Sequence, residues 1–591
     1  MGLEFAMLDS EVYIAPWADM PFANFIEWLD ARKAFAEKPA ILFREGKQRE
    51  FTLWTYRMFV DACRRIARGL LASGLRHGDR VVLWAENRPE WMAVWMGAAI
   101  AGCVVVPVDF FISDEECRNI VEFTRAKAGF FSRRKADFAA SLAASGLAVS
   151  TAIDGDSFER FGLDASGQEL PAPESIKGDD PCSIVFTSGT TGFAKGVTLR
   201  HRGVIANANA AVLMLRPTQD DAFINVLPLH HTYPTTCSFL APLSCGIPTI
   251  IVERLVGQVV VDDIRDGRGT FLIAVPMLYD KFMAAIESKY DAIPCAVRFP
   301  LDVLRRVALA RAKRGDPGFG RKVFRFLRKK AGLESINIMV AGGGALSART
   351  ADFFDSLGFN IVHGYGMSEN SPLISVSTPE YKNNYSVGLP VKYTDVKIVD
   401  AEDDAKELPL GESGEIIVKS PSLMLGYYEK PEESAQMFTA QGYLKTGDLG
   451  YRDERGFIFI NGRKKNLIVS SGGKNIYPEE IESHFNNSRV VGEILVLGRK
   501  DPESGEAIFA IAYPHYEALK EDYADGGLDK AFIRQLVKKE ISRVNRTLPA
   551  YKKISGFILR ESAFEKNAQS KIRRFLYKDY EDPAKTPAEG L

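Results

Sequence analysis

The chain has 591 residues, 46% of them hydrophobic and 26% charged, with a formal net charge of -1 at pH 7. That apolar fraction supplies a large core and excludes disorder as the main state, and the length points to several domains. Near-neutral charge gives no global field for nucleic acid or an anionic membrane, so only local patches can serve such partners, and a nucleic-acid role is set aside.

From the N-terminus, MGLEFAMLDSEVYIAPW has no basic stretch followed by an apolar block, so no signal peptide is expected. Gly2 suits a myristoylation signal, but Ala6 stands where Ser or Thr is wanted. Apolar spacing predicts a helix over Thr52–Gly74, and Arg80–Trp84 reads as a short buried strand. The run Trp91–Val108 is long enough to test as a membrane span. The helix-start signals Asn87–Glu90, the stop at Gly102 and the β-branched Cys103–Val108 divide it instead into a helix and a strand. Strand, helix and strand in that order imply a parallel sheet.

The rhythm continues with buried-type strands at Ser183–Thr187, Ala222–Leu227, Ile247–Val252, Thr270–Val275, Ile336–Ala341 and Asn360–His363. From Asp395 the texture becomes short alternating strands and turns, a small β subdomain. After Gly456–Arg463 the pattern restarts with strands at Ile494–Leu497, Ala507–Tyr513 and Gly556–Leu559 and a helix over Asp529–Thr547. The expected architecture is α/β. A large N-terminal domain, 1–464, holds parallel-sheet subdomains and a small β subdomain. A small mobile α+β domain, 465–591, follows, and the tail from Asp582 is expected to fray.

Seven cysteines (Cys63, Cys103, Cys117, Cys182, Cys237, Cys245 and Cys295) are dispersed with no C-x-x-C. They read as reduced core thiols of a cytoplasmic protein with no zinc site. Between Arg305 and Lys330 the only acid is Asp316. There RKVFRFLRKKAG interleaves basic and apolar residues as a basic amphipathic helix would, either a solvated insertion or a peripheral membrane contact at the inner face.

Three stretches carry chemistry. In TSGTTGFAKG, Thr187–Gly196, glycines let backbone N–H groups crowd an anion, hydroxyls add donors and Lys195 adds charge; alone, it also reads as a surface turn. In HGYGMSEN, His363–Asn370, directly after a buried strand, Tyr365 suits stacking on a base, Ser368 donation to phosphate and Glu369 a Mg2+ ion; a polar turn around a buried tyrosine is the plain alternative. In YLKTGDLGY, Asp448 suits a ribose diol, or simply an Asx turn closing a hairpin.

Together with GRKKNLIVSSGGKNIYPEEIE and a late SKIRR, in that order, these motifs make the chain resemble the adenylate-forming superfamily. That superfamily holds acyl-CoA synthetases, aryl-CoA ligases, firefly luciferase and peptide-synthetase adenylation domains. The resemblance spans about residues 20–578. It implies that Thr187, Ser188, Gly189, Thr190, Thr191, Gly192 and Lys195 hold the β- and γ-phosphates of ATP. It places Gly342, Gly343 and Gly344 along adenine and acyl group, Tyr365 and Gly366 at the adenine, and Ser368 by the phosphates. Glu369 becomes the Mg2+ ligand, Asp448 and Arg463 the ribose contacts, His231 the neighbour of the acyl carboxylate and Lys571 the catalytic lysine. Lys465 takes the hinge position, and Gly472 and Gly473 lie in the loop that meets coenzyme A after the small domain rotates. The chain departs from the commonest pattern at Ala194 (often proline), Ser368 (often threonine), Asn466 (often an acid) and Gln569-Ser570 (often Ser-Gly).

Within the superfamily, GYGMSENSPLIS, LPLHHTYPTTCSFLAPL and the basic insertion are most similar to bacterial long-chain fatty-acid–CoA ligases. The implied reaction joins a fatty acid to coenzyme A through acyl-AMP, consuming ATP with Mg2+. An acyl carrier protein as acceptor, a medium-chain or aryl acid, and a non-catalytic nucleotide- and lipid-binding relative are the alternatives.

Overall fold

The computed structural model describes residues 22–590, apart from 47, 145–146, 188–194, 470–473, 487, 502–504, 524–527, 567–571, 578–579 and 581–588. It is an α/β structure built on two large, mainly parallel sheets.

The first sheet has seven strands. Arg80–Trp84 pairs in parallel with Val104–Pro107 and Ala128–Phe131, and Pro181–Thr187 extends the sheet beside Val104–Pro107. Pro181–Thr187 then turns back, antiparallel, onto Lys195–Arg200. The intervening helix Pro89–Ile100 is buried on every side, including Trp91, Met92 and Trp95. This explains the long apolar run: a helix enclosed by protein needs no polar face. Among the described residues no helix is long and apolar enough to cross a membrane.

The second sheet has nine strands. Its centre is parallel, running Asn360–Gly366, Ile338–Ala341, Phe271–Ala274, Phe223–Asn225, Thr249–Ile251 and Pro39–Phe43. The ring of Phe223 stacks on Phe271 at 4.5 Å across two of these strands. The helix expected from Thr52 begins at Tyr56, because the Thr55 hydroxyl accepts the Met58 N–H and caps it. Thr52–Thr55 is instead an antiparallel edge strand on Pro39–Phe43.

A four-stranded antiparallel sheet follows, made of Asp395–Val399, Gly414–Lys419, Leu444–Arg452 and Ile458–Arg463. Beyond it, the hairpin Val491–Asp501/Gly505–Pro514, the parallel strand Gly556–Leu559 and the helix Lys530–Asn545 enclose a separate core of Val496, Ala510, Val537, Ile541 and Phe557. Asp529 caps that helix by accepting the Phe532 N–H at 2.7 Å. Of the tail expected to fray, Glu589–Gly590 pairs with Gly556–Phe557, a contact of backbone groups that side-chain patterning does not signal.

The basic segment differs from its sequence reading. It forms three helices, Cys295–Ala312, Gly318–Val323 and Arg325–Lys330, rather than one amphipathic helix over RKVFRFLRKKAG. Phe324 is fully buried at the break. Arg328 points inward and donates to the carbonyls of Gly358, Glu334 and Ile336, with its guanidinium 3.9 Å from the centre of the Phe359 ring. Burial pushes this guanidinium down to about 9, and the carbonyls replace the water it has lost.

One polar network joins the parts. Asn207, fully buried on the helix His201–Leu215, donates to the carbonyls of Asn370 (3.0 Å) and Leu373 (2.9 Å) and accepts the Leu373 N–H (2.9 Å). Thr236 donates to the Ser371 carbonyl, Ser420 to the Asn370 side chain and Ser371 to the Ser422 carbonyl. Replacing Asn207 with Ala would remove three hydrogen bonds to buried backbone groups. We expect it to cost about 3 kcal/mol in denaturant-induced unfolding.

Candidate active site

Several of the candidate residues stand at or just after the carboxyl ends of parallel strands, the usual place for a ligand in such sheets. Thr187 ends its strand opposite Lys195, and the residues between them, Ser188, Gly189, Thr190, Thr191 and Gly192 included, lie outside those described. Lys195 forms an ion pair with Glu433 at 2.6 Å, and its ammonium lies 4.8 Å from the centre of the Tyr427 ring. Lys430 pairs with the same Glu433 at 2.6 Å. Hydrogen bonds from Lys195 and Lys430 hold the Glu433 carboxyl below its ordinary range.

Glu369 sits in the single turn Ser368–Asn370 that follows the strand Asn360–Gly366. Its Oε1 accepts the Tyr427 hydroxyl at 2.9 Å, and its carbonyl accepts the Met424 N–H at 2.8 Å. Burial, then Glu369, hold the Tyr427 hydroxyl protonated far above neutrality. The Ser368 hydroxyl lies 3.3 Å from that of Thr232. Gly366 could not carry a side chain, since a Cβ there would fall 2.1 Å from the Pro372 carbonyl oxygen.

Tyr365, near the end of the same strand, donates its hydroxyl to Asp448 Oδ2 at 2.7 Å. Asp448 also pairs with Arg463 directly across the antiparallel sheet, at 2.6 Å. Burial, then Asp448, keep the Tyr365 hydroxyl protonated. His363 Nε2 lies 3.0 Å from the Gly344 carbonyl oxygen, which ties this strand to the glycine loop.

Gly342, Gly343 and Gly344 follow the strand Ile338–Ala341. Gly343 has a φ of +77°, and a Cβ on Gly342 would fall 2.7 Å from the Tyr233 ring, so both positions suit glycine. Tyr233 donates to the Val340 carbonyl at 3.2 Å and borders an apolar pocket. Ala211, Val212, Leu215, Phe223, Cys237 and Ile273 also line that pocket. His231 precedes Tyr233 by two residues, its ring 4.0 Å from that of His230. Burial lowers both imidazoles below their ordinary value, His230 the further, which keeps them neutral at pH 7.

Lys465 lies in the turn Lys464–Asn466, and burial, then Arg463, lower its ammonium. Asn466 donates to Glu479 at 2.5 Å, and Glu479 lies 3.7 Å from Arg574. Gly472, Gly473 and Lys571 lie outside the described residues. Sequence reading did not single out Tyr427, Glu433, Thr232 or Tyr233. Tyr427 and Glu433 stand in GYYEKPEES, a stretch with no charge pattern of its own; only the fold sets it against Lys195 and Glu369.

A parallel α/β scaffold with a glycine-rich hairpin closed by a lysine, a carboxylate at a strand end and a Tyr–Asp–Arg set is the frame of a nucleotide-handling enzyme. The chain belongs to the AMP-binding enzyme family: that family's model matches residues 29–428, and the model of the AMP-binding enzyme C-terminal domain matches 465–585. It is 25% identical over 563 residues to the long-chain-fatty-acid–[acyl-carrier-protein] ligase AEE15 of Arabidopsis thaliana, covering 83% of this chain and 76% of that one. It is 28% identical over 498 residues to the long-chain-fatty-acid–CoA ligase FadD15 of Mycobacterium bovis, covering 79% of each. It is 26% identical over 529 residues to the indoleacetate–CoA ligase of Aromatoleum aromaticum, covering 88% of this chain and 92% of that one. ATP-bound MatB from Rhodopseudomonas palustris superposes with a TM-score of 0.75 at 25% identity, covering 94% of this chain and 98% of that one.

Lys195 must exchange Glu433 for phosphate if the hairpin holds ATP. Glu433→Gln should therefore lower KM for ATP by about threefold, the scale of a partly exposed ion pair, with a smaller change in kcat. Steady-state kinetics at varied ATP check this.

Proposed function

We propose that the protein activates a carboxylic acid with ATP and passes the acyl group to the thiol of coenzyme A. The observation that carries this reading is the convergence of Lys195, Glu369 and the Tyr365–Asp448–Arg463 set beside an apolar pocket.

In the first step a carboxylate oxygen attacks the α-phosphorus, the bond to the β-phosphate breaks and pyrophosphate leaves with the electron pair. A carboxylate is already ionised at neutral pH, so no base is needed, and the task is to hold two anions together. Lys195 and the hairpin Thr187–Lys195 would hold the leaving phosphates. Asp448 and Arg463 would hold the ribose, with the Tyr365 ring at the adenine. Lys571 would bridge the acyl carboxylate and the α-phosphate. A neutral His231 would orient the carboxylate.

Among the described residues no group of three or more His, Cys, Asp or Glu side chains could hold a metal ion. Glu369 with the hydroxyls of Ser368 and Thr232 suits Mg2+ brought by the nucleotide, since Mg2+ takes most of its ligands from phosphate and water. Bound there, Mg2+ would offset the charge of the phosphates.

In the second step the thiol sulfur attacks the acyl carbon, the carbon–oxygen bond to AMP breaks and the thiol proton is released. The small domain, 465–591, would rotate about Lys465 between the steps, bringing the loop with Gly472 and Gly473 to the site.

A long-chain fatty acid is the preferred substrate in this reading, supported by the apolar lining of the pocket and by the acids named for two of the relatives. A carrier protein as acceptor is the second reading, favoured by one of those names. The test is pyrophosphate release with Mg2+, ATP and acids from acetate through palmitate to a cinnamate, with and without coenzyme A. Release with palmitate and formation of palmitoyl-CoA are expected; palmitoyl-AMP that stays untransferred would favour a carrier, and silence with every acid would overturn the reading. Ala211→Phe should fill part of the pocket and shift kcat/KM toward shorter acids by about tenfold or more, with KM for ATP unchanged.

A further inference from the structure

We infer that the outer face of the helix Cys295–Ala312 is a docking surface for an anionic lipid bilayer. The helix is apolar on two opposite sides. On its inner side Ala308 and Ala312 are buried, Leu301 and Leu304 pack against the main core, and Arg305 lies over the Tyr290 and Phe353 rings. On its outer side Phe299 is 73% exposed, Val303 46% and Val307 43%. These three residues recur every fourth position, so they form one stripe, drifting by about 40° per step. Exposed Ala296, Pro300 and Ala310 fill the spaces between them. A helix of a soluble fold normally turns charge to water on this side, and a contiguous apolar stripe there marks an interaction surface.

The rim supplies the sign of the partner. Arg306 borders the stripe, and Arg314 stands just beyond the helix end; both are exposed and make no ion pair among the described residues. Arg311 and Lys313 are tied to Asp316 and Asp352. The carboxylates nearest this helix are thus already engaged, and Asp302 accepts the Tyr290 hydroxyl. An apolar stripe with unpaired arginines at its edge fits the interface of a bilayer, where Phe and Val enter the acyl boundary and arginine meets phosphate. A second copy of the chain would set the same arginines against each other. An acidic carrier would match the arginines and leave Phe299, Val303 and Val307 against a charged face.

The surface does not depend on which acid is activated. The inner side of the helix Cys295–Ala312 packs on the helix Ala348–Ser356, which follows the Gly342–Gly344 loop, so docking by the outer face would hold that loop near a lipid surface.

The test is flotation of the full-length protein with vesicles of phosphatidylcholine, with and without about 30% phosphatidylglycerol, enough for a negative surface potential. Binding to the anionic vesicles, weakened by salt, is expected. The combined substitution Phe299→Asp, Val303→Asp and Val307→Asp should reduce partitioning by about tenfold or more, and Arg306→Glu with Arg314→Glu should remove the preference for anionic lipid. Unchanged pyrophosphate release with a water-soluble acid and an unchanged melting temperature would show that these variants fold. Cys295, exposed at the start of the helix, takes an environment-sensitive dye that should shift to shorter wavelength on anionic vesicles. Absence of vesicle binding, or equal binding by the triple variant, would overturn the inference. So would a triple variant that loses self-association or carrier-protein binding while vesicle binding is unchanged.

Discussion

The hydrogen bonds of Asn207 are the constraint on which the site depends. A buried amide has four bonding positions and no water to fill them, so it is stable only where the fold supplies partners. Here those partners are the backbone groups of Asn370 and Leu373, on either side of the turn that follows Glu369. Thr236, Ser420 and Ser422 complete the enclosure. The Glu369 carboxylate accepts one hydrogen bond, from Tyr427, among the described residues. Its precision comes from a turn whose backbone is held by hydrogen bonds behind it.

The charged groups of the site are partnered with one another. Lys195 rests on Glu433, Glu369 accepts from Tyr427, and Asp448 holds both Tyr365 and Arg463. A triphosphate that engaged these groups would displace those partners, and its net affinity would be a difference between two sets of charge-assisted bonds. The partly exposed Lys195–Glu433 pair is the easier to exchange. Asp448 is buried and holds two partners at once, Tyr365 and Arg463.

The turn that opens the second unit is tied into that unit by polar contacts. Asn466 stands where the superfamily pattern often has an acid, and it donates to Glu479 from the helix Pro478–Ser483. Arg574 lies near the same Glu479, pairs with the half-buried Glu482 and donates to the Val496 carbonyl. The acid beside this turn thus comes from the following helix rather than from the turn itself.

Much of the fold was legible in the sequence. Arg80–Trp84 and Gly556–Leu559 form strands with the expected bounds, because short β-branched runs between turn signals have few other uses. The glycine-rich and acidic motifs single out Thr187, Glu369, Tyr365 and Asp448 in the chain, since backbone shape and a neighbouring strand are local properties. What the chain order did not carry were the partners across the fold: Glu433 for Lys195, Tyr427 for Glu369, Asn207 behind the turn. Nor did it reveal that Arg328 points inward while Phe299, Val303 and Val307 face out. Burial of a charge or exposure of an apolar side chain depends on which surfaces meet over long separations in the chain. Local pattern determines the element, and only tertiary packing decides which of its faces is covered.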